Sequence, residues 1–351
     1  MAHPTDVFYE IAAEFVPLMQ RAFLDGVRET LETCTEYSIE QVLKIEGYEV
    51  RKAAHSLDEI AEILGNNVGR GLLERMTDAW LKSGRKVKSV LPKSAITAPF
   101  QFDSVRLGAL LANGGHRADL MRNITSEQRQ VISRCVNRGF ILGRSRAQVA
   151  RDIRAVIGLT EKQEEWVENY RRQLETMDPK LFERRLRDHR SDRLISRLID
   201  EGELLPDYRI DGLVERYRQR LIQYRARTIA RTESLRAVRM GEYDALNAMW
   251  QEGALSPMLR RFWVTCMDEK VRRTHTQIPS MNPDGRGIDE LFQTPLGPLR
   301  FPCDPNGVAA NVINCRCHLE YRMPNSNGEY IGRESFRLPS NLASVLGGVE
   351  D

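Results

Sequence analysis

The chain has 351 residues, of which 41% are hydrophobic. This length and composition exclude an intrinsically disordered protein and allow two or three domains, each with its own core. The 52 Lys and Arg and the 49 Asp and Glu leave a net charge of +3, which does not indicate a protein that wraps nucleic acid. No run approaches the roughly 18 apolar residues of a membrane span, and the first residues lack a signal-peptide pattern, so we expect synthesis in the cytoplasm and no membrane contact.

Helices dominate the predicted elements as far as about residue 250. Apolar residues at spacings of three and four predict one helix over 8–31 and a second over 57–80. Gly65, Gly69 and Gly71 lie within the second helix. They would weaken it in isolation but would permit close packing against another helix.

Residues 83–118 interrupt this pattern, and we expect them to form a connection with short irregular elements. Three capping boxes follow, each with a hydroxyl residue and a Gln three positions later: TSEQ at 125–128, SRAQ at 145–148 and TEKQ at 160–163. This arrangement satisfies two backbone donors at the start of a helix. The sequence therefore predicts three helix starts in this region.

The next predicted helices are rich in arginine. Asp178 as N-cap and Pro179 at the first helical position open a very basic helix, and a long helix follows Pro206. Residues 181–240 contain fifteen Arg and no Lys against ten Asp and Glu, a net charge of about +5. They would form solvated helix faces with intrahelical Glu–Arg pairs, or bind nucleic acid or an acidic protein. The residues singled out for phosphate contact are Arg184, Arg185, Arg187, Arg190, Arg216, Arg218 and Arg220.

The pattern changes at Gly253. Short apolar or alternating runs at 260–267, 298–303 and 317–323 predict strands of a small sheet, and the polar segment from Pro324 predicts an extended arm. The expected fold class is a predominantly α-helical α+β protein, with long helical N-terminal and middle regions before a small mixed C-terminal domain. The predicted regions are 1–120 (N-terminal helical), 121–205 (short-helix bundle), 206–323 (long helix plus small sheet) and 324–351 (polar tail).

Three segments in the last part of the chain, at 226–233, 263–275 and 313–317, place polar residues within apolar surroundings. Asp268 and His275 could form a catalytic pair. Alternatively, the polar residues form an internal network of charge-assisted hydrogen bonds that holds a small sheet against a helix. The candidates are Arg231, Glu233, Asp268, Arg272, His275, Asn314 and Arg316.

Cysteines add further interpretations of the same region. Cys303, Cys315 and Cys317 with either His275 or His318 would supply a zinc site, although Cys-x-Cys is not the usual zinc knuckle. A disulfide between Cys303 and Cys315 would require an oxidising environment. The third interpretation is that the thiols are small buried apolar groups. The residues alone favour the third, and we predict no metal and no cofactor, with zinc as the alternative.

The order of these motifs resembles the Mu F-like minor head protein family, also called the phage head morphogenesis family. The resemblance rests on ARTE at 230–233 with the helix that follows, on W-x-T-x-x-D-x-x-V-R-x-x-H at 263–275, and on NCRC at 314–317. It covers about residues 220–322. The positions that match the family motif are Arg231, Glu233, Trp263, Asp268, Arg272, His275, Asn314, Cys315, Arg316 and Cys317.

The resemblance implies a minor capsid protein of a tailed bacteriophage, present in several copies inside the capsid or at the portal vertex and assembled in the host cytoplasm. Its implied partners are the portal protein, the major capsid or scaffolding protein, and packaged double-stranded DNA. The implied role is head assembly, with DNA packaging or ejection as a further role and no enzymatic activity. The competing hypothesis is a toxin-like enzyme that processes nucleotides or nucleic acid with the C-terminal Asp, Arg, His and Cys residues.

Overall fold

The computed structural model of the protein describes residues 6–45, 57–102, 115–266, 268–333 and 335–346. Helices dominate this part of the chain, and its strands form a small sheet near the C-terminus, which confirms the predicted fold class. Among the described helices, none combines the length and apolar character that a membrane span requires.

The helices are α1 (Val7–Thr33), α2 (Glu36–Ile45), α3 (Asp58–Val90), α4 (Gly115–Ile141), α5 (Arg146–Val156), α6 (Glu161–Glu175), α7 (Asp192–Glu201), α8 (Asp207–Gln251), α9 (Arg273–Thr276), α10 (Ile278–Met281), α11 (Ala309–Val312) and α12 (Ser340–Leu346). The strands are β1 (Arg260–Cys266), β2 (His318–Arg322) and β3 (Ser335–Phe336).

The chain folds into two compact units, each discontinuous in sequence. Unit 1 comprises residues 1–20, 72–116 and 227–351, and unit 2 comprises residues 21–71 and 117–226. Helices α1, α3 and α8 each give one part of their length to each unit. The unit boundaries therefore fall within continuous helices, where no turn or linker signal marks them.

Glycines in α3 allow close helix packing in unit 2, as the sequence predicts. A Cβ atom added at Gly65 would lie 2.2 Å from an atom of α4, and one at Gly69 would lie 2.6 Å from α4. At Gly71 the nearest atom, in α1, would be 3.0 Å away. Larger side chains at these positions would force the helices apart.

Two predicted helix boundaries are wrong. Helix α3 continues to Val90 rather than ending at 83, because Val87 and Val90 are buried and the Phe102 ring packs against Gly84. Burial outweighs the low helix propensity of glycine there. Within the predicted connection, residues 103–114 lie outside the described part of the chain.

The second error concerns TSEQ at 125–128, which lies inside α4 and does not begin a helix. Gln128 instead accepts a hydrogen bond from the Gly158 backbone N–H at 2.9 Å and donates to the Val156 carbonyl at 3.3 Å. It thereby satisfies backbone groups at the end of α5. The capping boxes of Ser145 and Thr160 are confirmed, with both reciprocal hydrogen bonds present.

The arginine-rich region contains less helix than the sequence predicts. Asp178 and Pro179 begin only a 3-10 helix, Pro179–Glu183, and a second 3-10 turn, His189–Ser191, precedes α7. The predicted basic helix is interrupted because Arg220 donates hydrogen bonds to the carbonyls of Leu186 and Arg187. The long helix after Pro206 is confirmed as α8.

The sheet has the strand order β2-β1-β3. Strand β1 pairs antiparallel with β2, with Trp263 opposite Leu319, and parallel with β3. The predicted strand at 298–303 is wrong, because the Arg300 guanidinium and backbone N–H both bind Asp304 and hold a turn. The third strand comes from the predicted arm, and α12 buries Leu342 and Leu346, so residues 335–346 do not form an extended arm.

Candidate functional site

The part of α8 at residues 230–239 carries the first motif and is buried on every side in unit 1. Residues 230–239 are all buried, which is unusual for a helix with this many charges. The charges are arranged as pairs three residues apart: Glu233 with Arg236, and Arg239 with Glu242 at 2.9 Å. Each of these four buried charges thus faces an opposite charge, which offsets the cost of burial in a low-dielectric interior.

The second pair extends into a network that sequence reasoning missed. Tyr321 of β2 donates a hydrogen bond to Glu242 at 2.7 Å, and the Arg239 guanidinium lies 4.9 Å from the centre of the Tyr9 ring. Burial raises the pKa of Glu242, although the nearby Arg239 charge opposes the shift. The spacing of three residues between Arg239 and Glu242 on one helix face could have predicted this ion pair. The sequence did not show, however, that this face is buried.

Asp268, which follows β1, and Arg316 form a bidentate ion pair, with one N–O distance of 2.7 Å. Arg316 is 7% exposed. Partial burial tends to raise the pKa of Asp268, but the hydrogen bond and charge of Arg316 outweigh it and hold the pKa below its ordinary value. Of the two acidic residues among the candidates, Asp268 binds Arg316, while Glu233 pairs with Arg236.

Other motif residues hold the backbone of the same unit. The Asn314 N–H donates to the Thr232 hydroxyl at 3.2 Å, and Asn314 has a left-handed φ of 55°. Arg272 donates to the Ile313 carbonyl. Arg231 donates to a carbonyl of α12 at 3.3 Å. The three motif segments are therefore connected to one another and to the C-terminal helix.

The thiols and one imidazole come together on the other side of the NCRC segment. His275 Nδ1 lies 3.6 Å from Cys315 Sγ and 3.4 Å from Cys317 Sγ, and Cys303 Sγ lies 3.2 Å from the Cys315 carbonyl oxygen. Arg316, between the two cysteines, turns the opposite way toward Asp268, as residues in extended chain alternate. We call His275, Cys303, Cys315 and Cys317 the thiol–imidazole cluster; all four are at most 2% exposed.

The cluster favours one thiolate. Hydrogen bonds from the Cys303 and Cys317 thiols, with His275, hold the pKa of Cys315 well below its ordinary value against the effect of burial. The same hydrogen bonds and burial raise the pKa of Cys303 and Cys317 well above theirs. Burial tends to lower the pKa of His275, but hydrogen bonding to Cys315 outweighs it and the net shift is upward.

A chain of hydrogen bonds orients the imidazole. His275 Nε2 lies 2.9 Å from Asn311 Oδ1, and Asn311 Nδ2 donates to the Thr294 hydroxyl at 3.0 Å. The Trp263 ring stands perpendicular to the imidazole, with 6.1 Å between centroids. Asn311 and Thr294 were not among the sequence candidates, because nothing in the sequence indicates that they lie beside His275.

His318, the other histidine considered as a zinc ligand, lies apart from the cluster. Its Nδ1 is 3.1 Å from the Tyr9 hydroxyl, and its ring packs edge-on against Phe336. The structure therefore brings His275, and not His318, to the cysteines.

The arginines proposed for phosphate contact lie in unit 2, and three of them converge on Asp188. Arg190, Arg216 and Arg220 approach its carboxylate at 3.0, 2.8 and 3.4 Å. The Arg190 hydrogen bonds are the main reason that the pKa of Asp188 lies well below its ordinary value. The others are dispersed: Arg184 contacts Gln173, Arg187 contacts Asp192, Arg218 contacts Glu215, and Arg185 is exposed.

Comparisons with known proteins do not assign the chain to a family. No family model, no curated protein and no solved structure matches it. The Mu F-like resemblance therefore rests on the motif residues alone.

Proposed function

We propose that the chain is a minor capsid protein of a tailed bacteriophage, a low-copy internal virion component that acts in head assembly together with the portal and the capsid or scaffolding protein. The observation that carries the proposal is the convergence of all three motif segments within unit 1. Their polar residues contact one another or the backbone of the same unit. The residues that carry the resemblance therefore lie in one folded module, which supports the proposal.

Burial of the motif residues supports a structural role for them. Glu233 and His275 are 4% and 2% exposed, and Cys315 and Cys317 are 2% exposed. A catalytic group must reach its substrate within hydrogen-bond distance, which these side chains could do only after the unit opened. Buried cysteines are in general inert. These features favour a head protein over a toxin-like enzyme.

Arg190, Arg216 and Arg220, which we call the arginine cluster, support an extension of the proposal to packaged DNA. Three guanidinium groups surround the single carboxylate of Asp188, which leaves an excess of two positive charges. The side chain of Arg190 is 79% exposed. An arginine-rich surface attracts phosphates without sequence preference, as an internal virion protein beside DNA would. Such contacts would act during packaging or ejection.

The direct test is the protein content of purified heads. Heads from the phage that encodes the chain should contain it, as detected by mass spectrometry after density-gradient purification. Deletion of the gene should reduce infectious particles, and the wild-type gene supplied in trans should restore them. A chain that is synthesised during infection but absent from heads, procapsids and portal complexes would overturn the proposal.

The same protein should be assayed for nuclease activity and NAD consumption. We expect neither activity above background. Turnover that is lost in His275→Ala or Cys317→Ala, while circular dichroism remains that of the wild type, would instead support the enzyme hypothesis.

A further inference from the structure

The three donor atoms of His275, Cys315 and Cys317 have the spacing of a tetrahedral metal site. Their ligand atoms lie within 4.8 Å of one another, and the two N–S distances are 3.6 and 3.4 Å. Zinc bonds of about 2.3 Å to sulfur and about 2.05 Å to nitrogen, at tetrahedral angles, separate N and S by about 3.6 Å. The three side chains could therefore bind one zinc ion with little movement.

The protonation of His275 also fits a metal ligand. The Thr294 hydroxyl gives its one hydrogen to the Gly297 carbonyl, so it accepts the hydrogen bond from Asn311 Nδ2. The Asn311 oxygen then faces His275 and accepts from the Nε2–H. When the imidazole is neutral, as metal binding requires, its lone pair is therefore on Nδ1, toward the two sulfurs. Histidine ligands in metal sites are commonly held in this way, by a hydrogen bond from the other ring nitrogen to a carbonyl or carboxylate.

Cys303 is the candidate for a fourth ligand, and its thiol would have to turn from the Cys315 carbonyl toward the other three donor atoms. Its residue is 1% exposed, and its sulfur lies 3.2 Å from the Cys315 carbonyl. The backbone of Cys303 has a φ of 66°, a left-handed conformation that residues other than glycine rarely adopt. Arg236, whose charge is paired with that of Glu233, donates to the Cys303 carbonyl at 3.2 Å and holds this turn in place.

We infer that His275, Cys315 and Cys317 bind a structural zinc ion, with Cys303 as the fourth ligand once its thiol leaves the Cys315 carbonyl. Three sulfurs and one imidazole nitrogen are a donor set that favours Zn²⁺ over Mg²⁺ or Ca²⁺. The ligands come from α9, from the turn at Cys303 and from the segment before β2, three parts of a region with little regular secondary structure. The ion would cross-link these segments and contribute to the folding of unit 1. The inference does not depend on the proposed function.

The first experiment needs no substitution. The full chain, produced with zinc in the medium and kept reduced, should contain one zinc ion per chain by inductively coupled plasma mass spectrometry. Replacement of zinc by Co²⁺ should give the intense visible bands of a tetrahedral site and a near-ultraviolet sulfur-to-cobalt band. Removal of the metal by a chelator should lower the melting temperature, and added Zn²⁺ should restore it.

Substitutions identify the ligands. Cys315→Ala and Cys317→Ala should abolish stoichiometric binding, and Asn311→Ala, which removes only the group that orients His275, should weaken zinc affinity by about 10- to 100-fold. The control is Cys135→Ala, which removes an equally buried thiol of unit 2 and should retain full zinc content.

Three results would overturn the inference. One is reduced wild-type protein with no bound zinc and no cobalt–thiolate band, in a sample that is folded by circular dichroism. A second is an equal loss of zinc in the Cys135→Ala control. The third is a Cys303–Cys315 disulfide as the state of the freshly isolated protein, shown by mass spectrometry after alkylation.

Discussion

The Arg316 guanidinium binds both oxygens of Asp268, and this pair connects the segment before β2 to the segment after β1. A bidentate pair of this kind needs the planar fork of arginine, which lysine cannot reproduce. The contribution of this ion pair to the free energy of unfolding depends on burial. The two partners differ in exposure, since the side chain of Arg316 is 7% exposed and that of Asp268 is 33% exposed. The loss of Asp268 would therefore leave a buried cation without its main partner.

We expect Arg316→Ala and Asp268→Asn each to lower the free energy of unfolding by about 1–2 kcal/mol, a range reduced by the partial exposure of Asp268. The measurement is urea unfolding followed by circular dichroism. The double variant should be less destabilised than the sum of the single variants, because both remove the same interaction. Exact additivity would show that the two residues do not interact in solution.

The pH dependence of stability follows from the lowered pKa of Asp268. The group has a lower pKa in the folded than in the unfolded state, so the unfolded chain binds more protons. The stabilisation is present above the unfolded pKa of about 3.9 and is lost as pH falls through the folded value. As the pH falls from about 5, the free energy of unfolding should therefore fall less steeply in Asp268→Asn than in the wild type. Parallel curves would contradict this assignment.

The sequence identified residues of this polar network, but it did not identify which of them form hydrogen bonds or ion pairs with each other. Arg316, Asp268 and His275 were all among the candidates for an internal polar network. Asn311 could not be found, because it orients His275 across 36 positions of sequence and nothing in the sequence indicates that the two lie side by side. Hydrogen-bond partners of this kind depend on tertiary packing, which local pattern does not encode.

Helix α8 shows the same limit at the scale of an element. Its length was predicted from its apolar residues and from Pro206. Residues 230–239 are buried on all sides, however, whereas the sequence favoured a solvated, arginine-rich face. The capping boxes at Ser145 and Thr160 were predicted correctly because the chain is locally free to begin a helix there. TSEQ has the same pattern, but α4 already runs through it. A local signal was correct only where tertiary contacts agreed with it.

Two glycines of α8 give a matched test of this burial. A Cβ atom at Gly241 would lie 2.2 Å from the Trp80 carbonyl oxygen, whereas at Gly212 the nearest atom is the flexible end of Arg216, 3.5 Å away. Gly241→Ala should lower the free energy of unfolding by about 1–3 kcal/mol through overpacking. Gly212→Ala should raise it by about 0.5–1 kcal/mol, since alanine is the better helix former. Equal effects in urea unfolding would show that α3 does not pack closely on α8 at Gly241.

At the scale of the whole molecule, the division into two units could not be read from the sequence. Composition and turn signals mark boundaries that lie in loops, but α1, α3 and α8 each continue from one unit into the other. The two sets of candidates separate along this division: the three motif segments lie in unit 1 and the arginines proposed for DNA lie in unit 2. The two properties can therefore be altered independently by substitution.

DNA binding is the property of unit 2 that can be tested in solution. If phosphates bind at the arginine cluster around Asp188, affinity for double-stranded DNA should fall steeply with salt concentration. Arg190→Gln removes the most exposed positive charge of the arginine cluster, and Arg216 and Arg220 remain to bind Asp188. We expect it to weaken binding at every DNA sequence and to reduce the slope of log affinity against log salt concentration by about 1.

The matched control is Arg28→Gln in α1, which removes the same charge from a comparably exposed side chain, 67% against 79%. Arg28 pairs with Asp25 at 2.9 Å and lies near Glu32, so it adds no local excess of positive charge, and its loss should leave the slope unchanged. Fluorescence anisotropy with a labelled duplex measures both variants. An equal loss in the two would indicate an effect of net charge alone, and no binding by the wild type at low salt would remove DNA from the list of partners.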